Sequence, residues 1–262
     1  MTIHDKYVNK YYKKGDIVIT KYILGIVILN LHFTLTKIKR IIQYYLNLNK
    51  YKNNYIIVVD KYGNEKKYKN CLHVKGFYVH FKGNNNVVKI FQPAKLKSLG
   101  INIHSDNNTV ILEKSVDIYK SKINIFDGEH NTIKIGADTT INGLLIQTYE
   151  DNSVVTIGKN CMISCGVEMW CTDSHTITDL NNRVINIGMS IELEDHVWVG
   201  KDVKIGKNTR IPKDSIVGWG AVVTKKFDER NVVLAGNPAK IVKHNIMWAR
   251  PRVRDFLKMS GN

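Results

Sequence analysis

Paired cysteines, a cleavable leader pattern and a membrane-length apolar run are all missing from this chain of 262 residues. Its four cysteines, Cys71, Cys161, Cys165 and Cys171, form no C-x2-C pair. No zinc module or disulfide framework is indicated, and a reduced, cytoplasmic protein is expected. Cys165, Cys171 and His175 are near one another in sequence, but a structural zinc takes four ligands in a tighter pattern, so no metal is expected. No N-terminal apolar stretch ends in a small-residue cleavage site. The longest apolar run, residues 17–35, is broken by Lys21, Asn30 and His32. That leaves a clean stretch well short of the roughly 20 residues that span a bilayer. With the following TKIKRIIQYYLNLNK it has the character of packed helices, or of a basic amphipathic segment lying on a membrane surface.

Acidic residues are also scarce, 23 against 39 Lys plus Arg, for a formal charge of +16. The excess is concentrated at one end: residues 1–75 hold 15 Lys and Arg against 4 Asp and Glu, a balance of +11, which leaves +5 for the other 187 residues. Two readings stay open, a solvated basic surface or an N-terminal contact with an anionic glycan or a membrane face. Nucleic acid is not expected as a partner, because no zinc finger, basic zipper or aromatic RNA-binding signature accompanies the charge. The stretch YIIVVDKYGNEKKY, residues 55–68, has the pattern of a hairpin turning at Tyr62, Gly63 and Asn64. Residues 1–70 form the expected N-terminal helical and hairpin cap.

What the chain does have is a period of six. In VWVGKDVKIGKNTRIPKDSIVGWGAVV, the residues Val199, Ile205, Ile211, Val217 and Val223 recur every six positions. A helix would scatter them over several sides, whereas an extended chain turns them all one way. Gly200, Gly206, Pro212 and Gly218 each follow an inward aliphatic, where a chain that bends every six residues needs a turn former. Short strands bent at regular corners make a solenoid in which each coil stacks on the one before. The fold class is therefore an all-β solenoid.

Further upstream, NNNVVKI, DNNTVIL, EHNTIKI and DNSVVTI end at Ile90, Leu112, Ile135 and Ile157, at separations of 22, 23 and 22 residues. A coil of three hexads would hold 18 residues, so each early coil carries four or five extra at an Asn-rich corner. The next equivalent segment, NRVINI, ends at Ile187, 30 residues after Ile157. The phase then places a 12-residue insertion in this coil and sets Trp198 directly above Glu168. That insertion, the loop 171–186, contains CTDSHTITDLNNR, and long loops in tight repeats tend to carry function.

Three segments now carry a resemblance: TDSHTI, EDHVWVG, and AGNPAKIV at residues 235–242. Residues from about Gly76 to Lys243 resemble the left-handed parallel β-helix, hexapeptide-repeat acyltransferases, and within them the bacterial polysaccharide and sugar O-acetyltransferases, including those acting on sialic acid polymers; the domain is expected to span 71–243. The resemblance implies a homotrimer with active sites between adjacent prisms, acetyl-CoA as co-substrate, and a sugar or polysaccharide acceptor. It makes His175 the catalytic base and Trp198 a residue shaping the site. Asp173, Glu168 and a backbone carbonyl are alternatives for orienting the imidazole. For the cofactor it implies Gly218, Trp219, Gly220 and Ala221 along the pantetheine, Lys225, Lys226 and Lys240 at the phosphates, and Pro238 against the adenine. Trp219 departs from the family, which usually has a small residue there. His196, outward on the strand of Trp198, is a weaker candidate. Residues 244–262 are left as a C-terminal tail. The location implied is the cytoplasm, with contact to the inner membrane through the cap as an open reading.

Two other classes share the solenoid. N-acetyltransferases of nucleotide-linked amino sugars more often carry a glycine-rich nucleotide-binding unit, and residues 1–70 show none. A γ-class carbonic anhydrase needs three zinc-binding histidines across coils, and the hexads supply none beyond His175 and His196.

Overall fold

The computed structural model describes residues 50–260. The expected helices of the cap, the apolar run 17–35 and the basic cluster Lys37, Lys39 and Arg40 lie outside the described residues. From Tyr55 onward the chain is a parallel β-solenoid with three faces. One face stacks Val87–Phe91, Thr109–Leu112, Thr132–Ile135, Val154–Ile157, Ser190–Leu193 and Thr209–Ile211. The second stacks Thr140–Asn142, Met162–Ile163, Trp198–Val199, Ile216–Val217 and Val233–Ala235. The third stacks Phe77–Phe81, Leu144–Thr148, Val167–Trp170, Lys204–Gly206 and Val222–Val223. Two longer strands, Lys95–Ile103 and Asp117–Ile125, run along the second face and onto the third, bending at Ser98 and Lys120.

The period of six acts as predicted. Val199, Ile205, Ile211, Val217 and Val223 are all buried in one continuous core with the aliphatics of the earlier coils. Each buried aliphatic of this size contributes about 1.5–3 kcal/mol relative to exposure. The corners need a left-handed residue, and short polar side chains supply it: Asn85, Asn107, Asp138, Asn160, Asp202 and Asp214 all have positive φ. Such residues tolerate that region because they can hydrogen-bond locally.

The Asn-rich corner is also a polar ladder inside the prism. Asn54, Asn86, Asn108 and Asn131 are fully buried. The Asn54 carboxamide oxygen accepts from the Asn86 N–H at 3.0 Å, that of Asn86 from the Asn108 N–H at 2.8 Å, and that of Asn108 from the Asn131 N–H at 2.9 Å. Ser153 ends the series, its N–H donating to Asn131 at 2.7 Å. The ladder thus gives the N–H groups of Asn86, Asn108, Asn131 and Ser153 an acceptor inside the prism.

Ile90, Leu112, Ile135 and Ile157 stand in register at their spacings of 22, 23 and 22. The next step departs from expectation. Ile157 pairs with Leu193, 36 residues on, and Ile187 lies outside the prism at 60% exposure. Trp198 accordingly stacks on Met162, while Glu168 stacks on Lys204. A period of six admits 30 and 36 equally, so phase alone could not separate them. The insertion is a whole coil's length, and the loop runs on to Met189.

The hairpin is present, Tyr55–Val59 pairing antiparallel with Glu65–Lys69. Its first strand also pairs in parallel with Val87–Phe91, so solenoid pairing reaches back to Tyr55, ahead of residue 71. Along the corner after the third face, rings stack coil on coil: His80 to His104 at 6.1 Å, His104 to Phe126 at 5.3 Å, and Phe126 to Tyr149 at 5.6 Å. Burial among these neighbours pushes the His104 imidazole down to about 4, with Lys82 adding to the effect.

Two outcomes are expected. Asn108→Ala removes the acceptor of the Asn131 N–H in a buried site and should cost about 1–3 kcal/mol in denaturant unfolding. Because His104 titrates lower when folded than unfolded, the unfolded chain binds the extra proton between about pH 6.5 and 4, and stability falls as pH drops through that window. His104→Phe should therefore show a smaller fall in Tm from pH 6.5 to 4 than the native chain.

Candidate active site

The His175 loop leaves the prism where the third face would turn to the first. Cys171 is still inside, its N–H donating to the Gln147 carbonyl at 2.9 Å. Thr172 anchors the exit: its hydroxyl donates to Glu150 at 2.7 Å and accepts from the Ser174 N–H at 2.7 Å. Beyond it the chain folds on itself, with Thr178 bridged to Val184 and a turn held by the Asp179 carboxylate, which accepts from the N–H groups of Asn181 and Arg183.

Asn186 closes this hairpin against its base. Its amide nitrogen donates to the His175 carbonyl at 2.8 Å and to Asp173 Oδ2 at 3.0 Å, and its oxygen accepts from the Ile177 N–H at 2.9 Å. The His175 carbonyl is therefore pinned by Asn186, while the ring makes no hydrogen bond to any described residue. Asp173 does not reach the ring. Its carboxylate is occupied by Asn186 and by the ammonium of Lys207, a side chain only 17% exposed. Glu168 is paired with Lys204 on the third face. Neither carboxylate orients the imidazole within one chain, because each is already taken by a lysine. His175 faces a cavity of about 270 Å³ shared with Asp127, Tyr149 and Glu150.

The second cluster stands on a different edge. Gly218, Trp219, Gly220 and Ala221 turn the corner between the second and third faces. The N–H groups of Gly218, Gly220 and Ala221 donate to the carbonyls of Leu234, Lys201 and Gly218 at 2.7, 3.0 and 3.3 Å. These three, expected to face a pantetheine, are consumed by the solenoid. The Trp219 N–H and the carbonyls of Trp219 and Gly220 have no hydrogen-bond partner among the described residues. The Trp219 ring is 73% exposed, with Lys201 Nζ 5.5 Å from its centre.

The AGNPAK segment folds against this corner. Val222 N–H donates to the Gly236 carbonyl at 3.0 Å and Ala239 N–H to the Val222 carbonyl at 2.8 Å. Pro238 and Lys240 are exposed beside it; Lys225 and Lys226 are exposed too, beyond the far end of strand Val222–Val223. Pro238 and Lys240 are therefore gathered with the 218–221 corner at one edge, whereas Lys225 and Lys226 lie across the third face, where it turns to the first and Lys226 is bridged to Arg210.

The tail is not free. Trp248 is buried, its ring stacked on His196 at 4.1 Å and 9°, and its indole N–H donates to the His196 carbonyl at 2.8 Å. It also contacts Trp198, ring centres 6.0 Å apart. Arg250 reaches across to Asn160, Thr140 and the carbonyls of Asp138 and Cys161 at 2.8–3.0 Å. His196 is tied to Asp214, Nδ1 to Oδ1 2.8 Å, which gives it a structural part under Trp248. Sequence reasoning missed both the clasp and Asn186; an isolated Trp and Arg after the last hexad were the available signal.

No protein-family model matches the chain. The polysialic acid O-acetyltransferase of Neisseria meningitidis is 38% identical over 169 residues, 64% of this chain and 77% of that protein. The chain belongs to the left-handed β-helix, hexapeptide-repeat acyltransferases. The polysialic acid O-acetyltransferase of Escherichia coli O1:K1 is 39% identical over 97 residues, and the match spans about a third of its length, 31%, and 37% of this chain. Among solved structures, that of the polysialic acid O-acetyltransferase OatWY superposes with a TM-score of 0.65 at 30% identity, covering 80% of this chain and 98% of its own. The polysialic acid-specific acetyltransferase NeuO gives 0.62 at 30%, covering 80% and 93%. Among the described residues of this acyltransferase, no group of three or more His, Cys, Asp or Glu is arranged to hold a metal.

Asn186→Ala should loosen the loop without touching the prism. Hydrogen–deuterium exchange at Ile177 and its neighbours should speed up by about tenfold or more, while strands Lys204–Gly206 and Val222–Val223 keep native protection.

Proposed function

We propose that the chain transfers an acetyl group from acetyl-CoA to a hydroxyl of a sugar in a bacterial surface polysaccharide, a capsule or lipooligosaccharide, acidic and sialylated ones included. The observation that carries this reading is His175: an exposed imidazole whose backbone carbonyl is clamped by Asn186, with neither ring nitrogen hydrogen-bonded to a described residue. The names of the Neisseria meningitidis and Escherichia coli relatives support the acceptor class.

A sugar hydroxyl is a weak nucleophile near neutral pH, so a base must take its proton as its oxygen attacks the thioester carbonyl. His175 is that base. The tetrahedral intermediate collapses with loss of the CoA thiolate, and the imidazolium returns the proton to the sulfur. The Trp219 N–H and the free carbonyls of its corner supply hydrogen bonds to the amide-bearing arm of the donor, and Lys225, Lys226 and Lys240 supply positive charge for its phosphates.

His175 and the donor corner occupy different edges of a three-faced prism, so one chain does not join them. A homotrimer resolves this: each site takes His175 from one prism and the 218–221 corner with Trp198 from the next. The second imidazole nitrogen is then oriented by an acceptor on the neighbour or the substrate. The reaction takes place in the cytoplasm, where the donor is made, with the basic N-terminal segment holding the enzyme near the inner membrane or an anionic acceptor.

The test is His175→Ala with acetyl-CoA and a panel of bacterial glycans, following free thiol and the acetyl mass increment. Transfer should fall by about 10²-fold or more with the oligomeric state unchanged. Retention of over a tenth of the native rate would remove His175 as base.

A further inference from the structure

The edge between the second and third faces runs from the donor corner down the prism, and its corner positions are Gly220, Asp202, Gly166, Gly143, Lys120 and Ser98, all at positive φ. Lys120 is out of place among them. Every other non-glycine residue at positive φ among those described is Asn, Asp, Ser or His, short or ring side chains suited to the region. A lysine gains no such local bond, so folding does not account for it, and an outlier of this kind points to use.

The side chain projects beside an open floor. Next along the edge are Gly143 and Gly166, and a Cβ at Gly166 would meet Asp202 Oδ1 at 2.1 Å. Lys120 and Lys122 both line the cavity here, about 610 Å³, with Tyr119, Cys165 and Glu168. An adjoining cavity shares Tyr119 and Asn142 and extends to Trp198, so the groove is continuous toward the donor corner. Lys120 Nζ lies 5.0 Å from the Tyr119 ring centre. Lys122 is flanked on neighbouring coils by Gly100 and Leu145. Neither lysine has a carboxylate partner among the described residues. The acid in the cavity, Glu168, is committed to Lys204.

We infer that Lys120 and Lys122 form an anion-binding acceptor subsite that grips the carboxylate of an acidic sugar, while the hydroxyl to be acetylated lies further along the groove toward Trp198. The inference rests on the acetyl-transfer reading for its purpose but not for its test. Two unpaired ammonium groups over a glycine floor suit a carboxylate beside a flat sugar ring, and Tyr119 offers the ring a face.

The experiment is calorimetric titration with an oligomer of sialic acid and with the same oligomer after its carboxylates are reduced to alcohols. The proteins are the native chain, Lys120→Gly, Lys122→Gln and the double variant. Lys120→Gly places at this corner the residue found at Gly143 and Gly166, so folding should be kept, as circular dichroism will show. The native chain should bind the acidic oligomer, the double variant about tenfold or more weakly with a flatter salt dependence, and the reduced oligomer weakly and alike in both. Binding of the acidic oligomer by the double variant within about twofold of native, equal binding of both oligomers by the native chain, or no binding at all would each overturn the subsite. Thiol release from acetyl-CoA with added glycans, measured separately on the native chain, reports on the transfer reading alone.

Discussion

The constraint behind the whole structure is that each coil must present its backbone to the next at one fixed spacing, about 4.8 Å, on all three faces at once. A coil cannot widen without losing hydrogen bonds to both neighbours. Residues beyond three hexads must leave at a corner, and the corner must then satisfy whatever backbone it exposes. The early coils do this with the buried Asn54–Asn86–Asn108–Asn131 ladder. The coil after Ile157 does it with the anchoring of Thr172 on Glu150 and the clamp of Asn186 on His175. The same rule that keeps the prism regular thus sends the one long loop out at an edge and fixes its base.

Function follows from which edges are used. A triangular prism has three, and this chain places the His175 loop on one and the exposed Trp219 corner on another. A rigid stack cannot bend one edge toward the other, so the proposed chemistry depends on a second prism. The N–H of Trp219 and the ring of His175 have no partner among the described residues for the same reason: each faces outward from its own prism. The C-terminal clasp adds to the second face rather than to the loop, with Trp248 sealing His196 beside Trp198 and Arg250 tying two adjacent coils together.

Much of this was legible in the sequence because it is local. The inward aliphatics, the 22- and 23-residue coils and the outward placement of Trp198 depend only on alternation and spacing. The failures have physical causes. The 36-residue step from Ile157 to Leu193 was mistaken for 30 because both are multiples of six, and the hydrophobic run VINI imitated a hexad while lying in the loop. The start of the prism was missed because Tyr55–Val59 pairs with two partners, and a hairpin pattern reveals only one. Trp248 and Arg250 act across 52 to 112 residues, a range at which spacing carries no signal. Lys120 was invisible until its φ was known.

The central claim is that one site is built from two chains, and mixed trimers test it most directly. One chain would carry His175→Ala. The other would carry Gly220→Trp, whose side chain meets open space at the donor corner; because Gly220 has a φ of +64°, this chain is first shown to fold and trimerise by itself. Each alone should be inactive. Co-expressed in equal amounts, random trimers should regain about a quarter of native transfer, because an intact loop then meets an intact corner across one interface in most assemblies. A mixture as inactive as its parents, with trimers containing both chains confirmed by mass, would contradict the account.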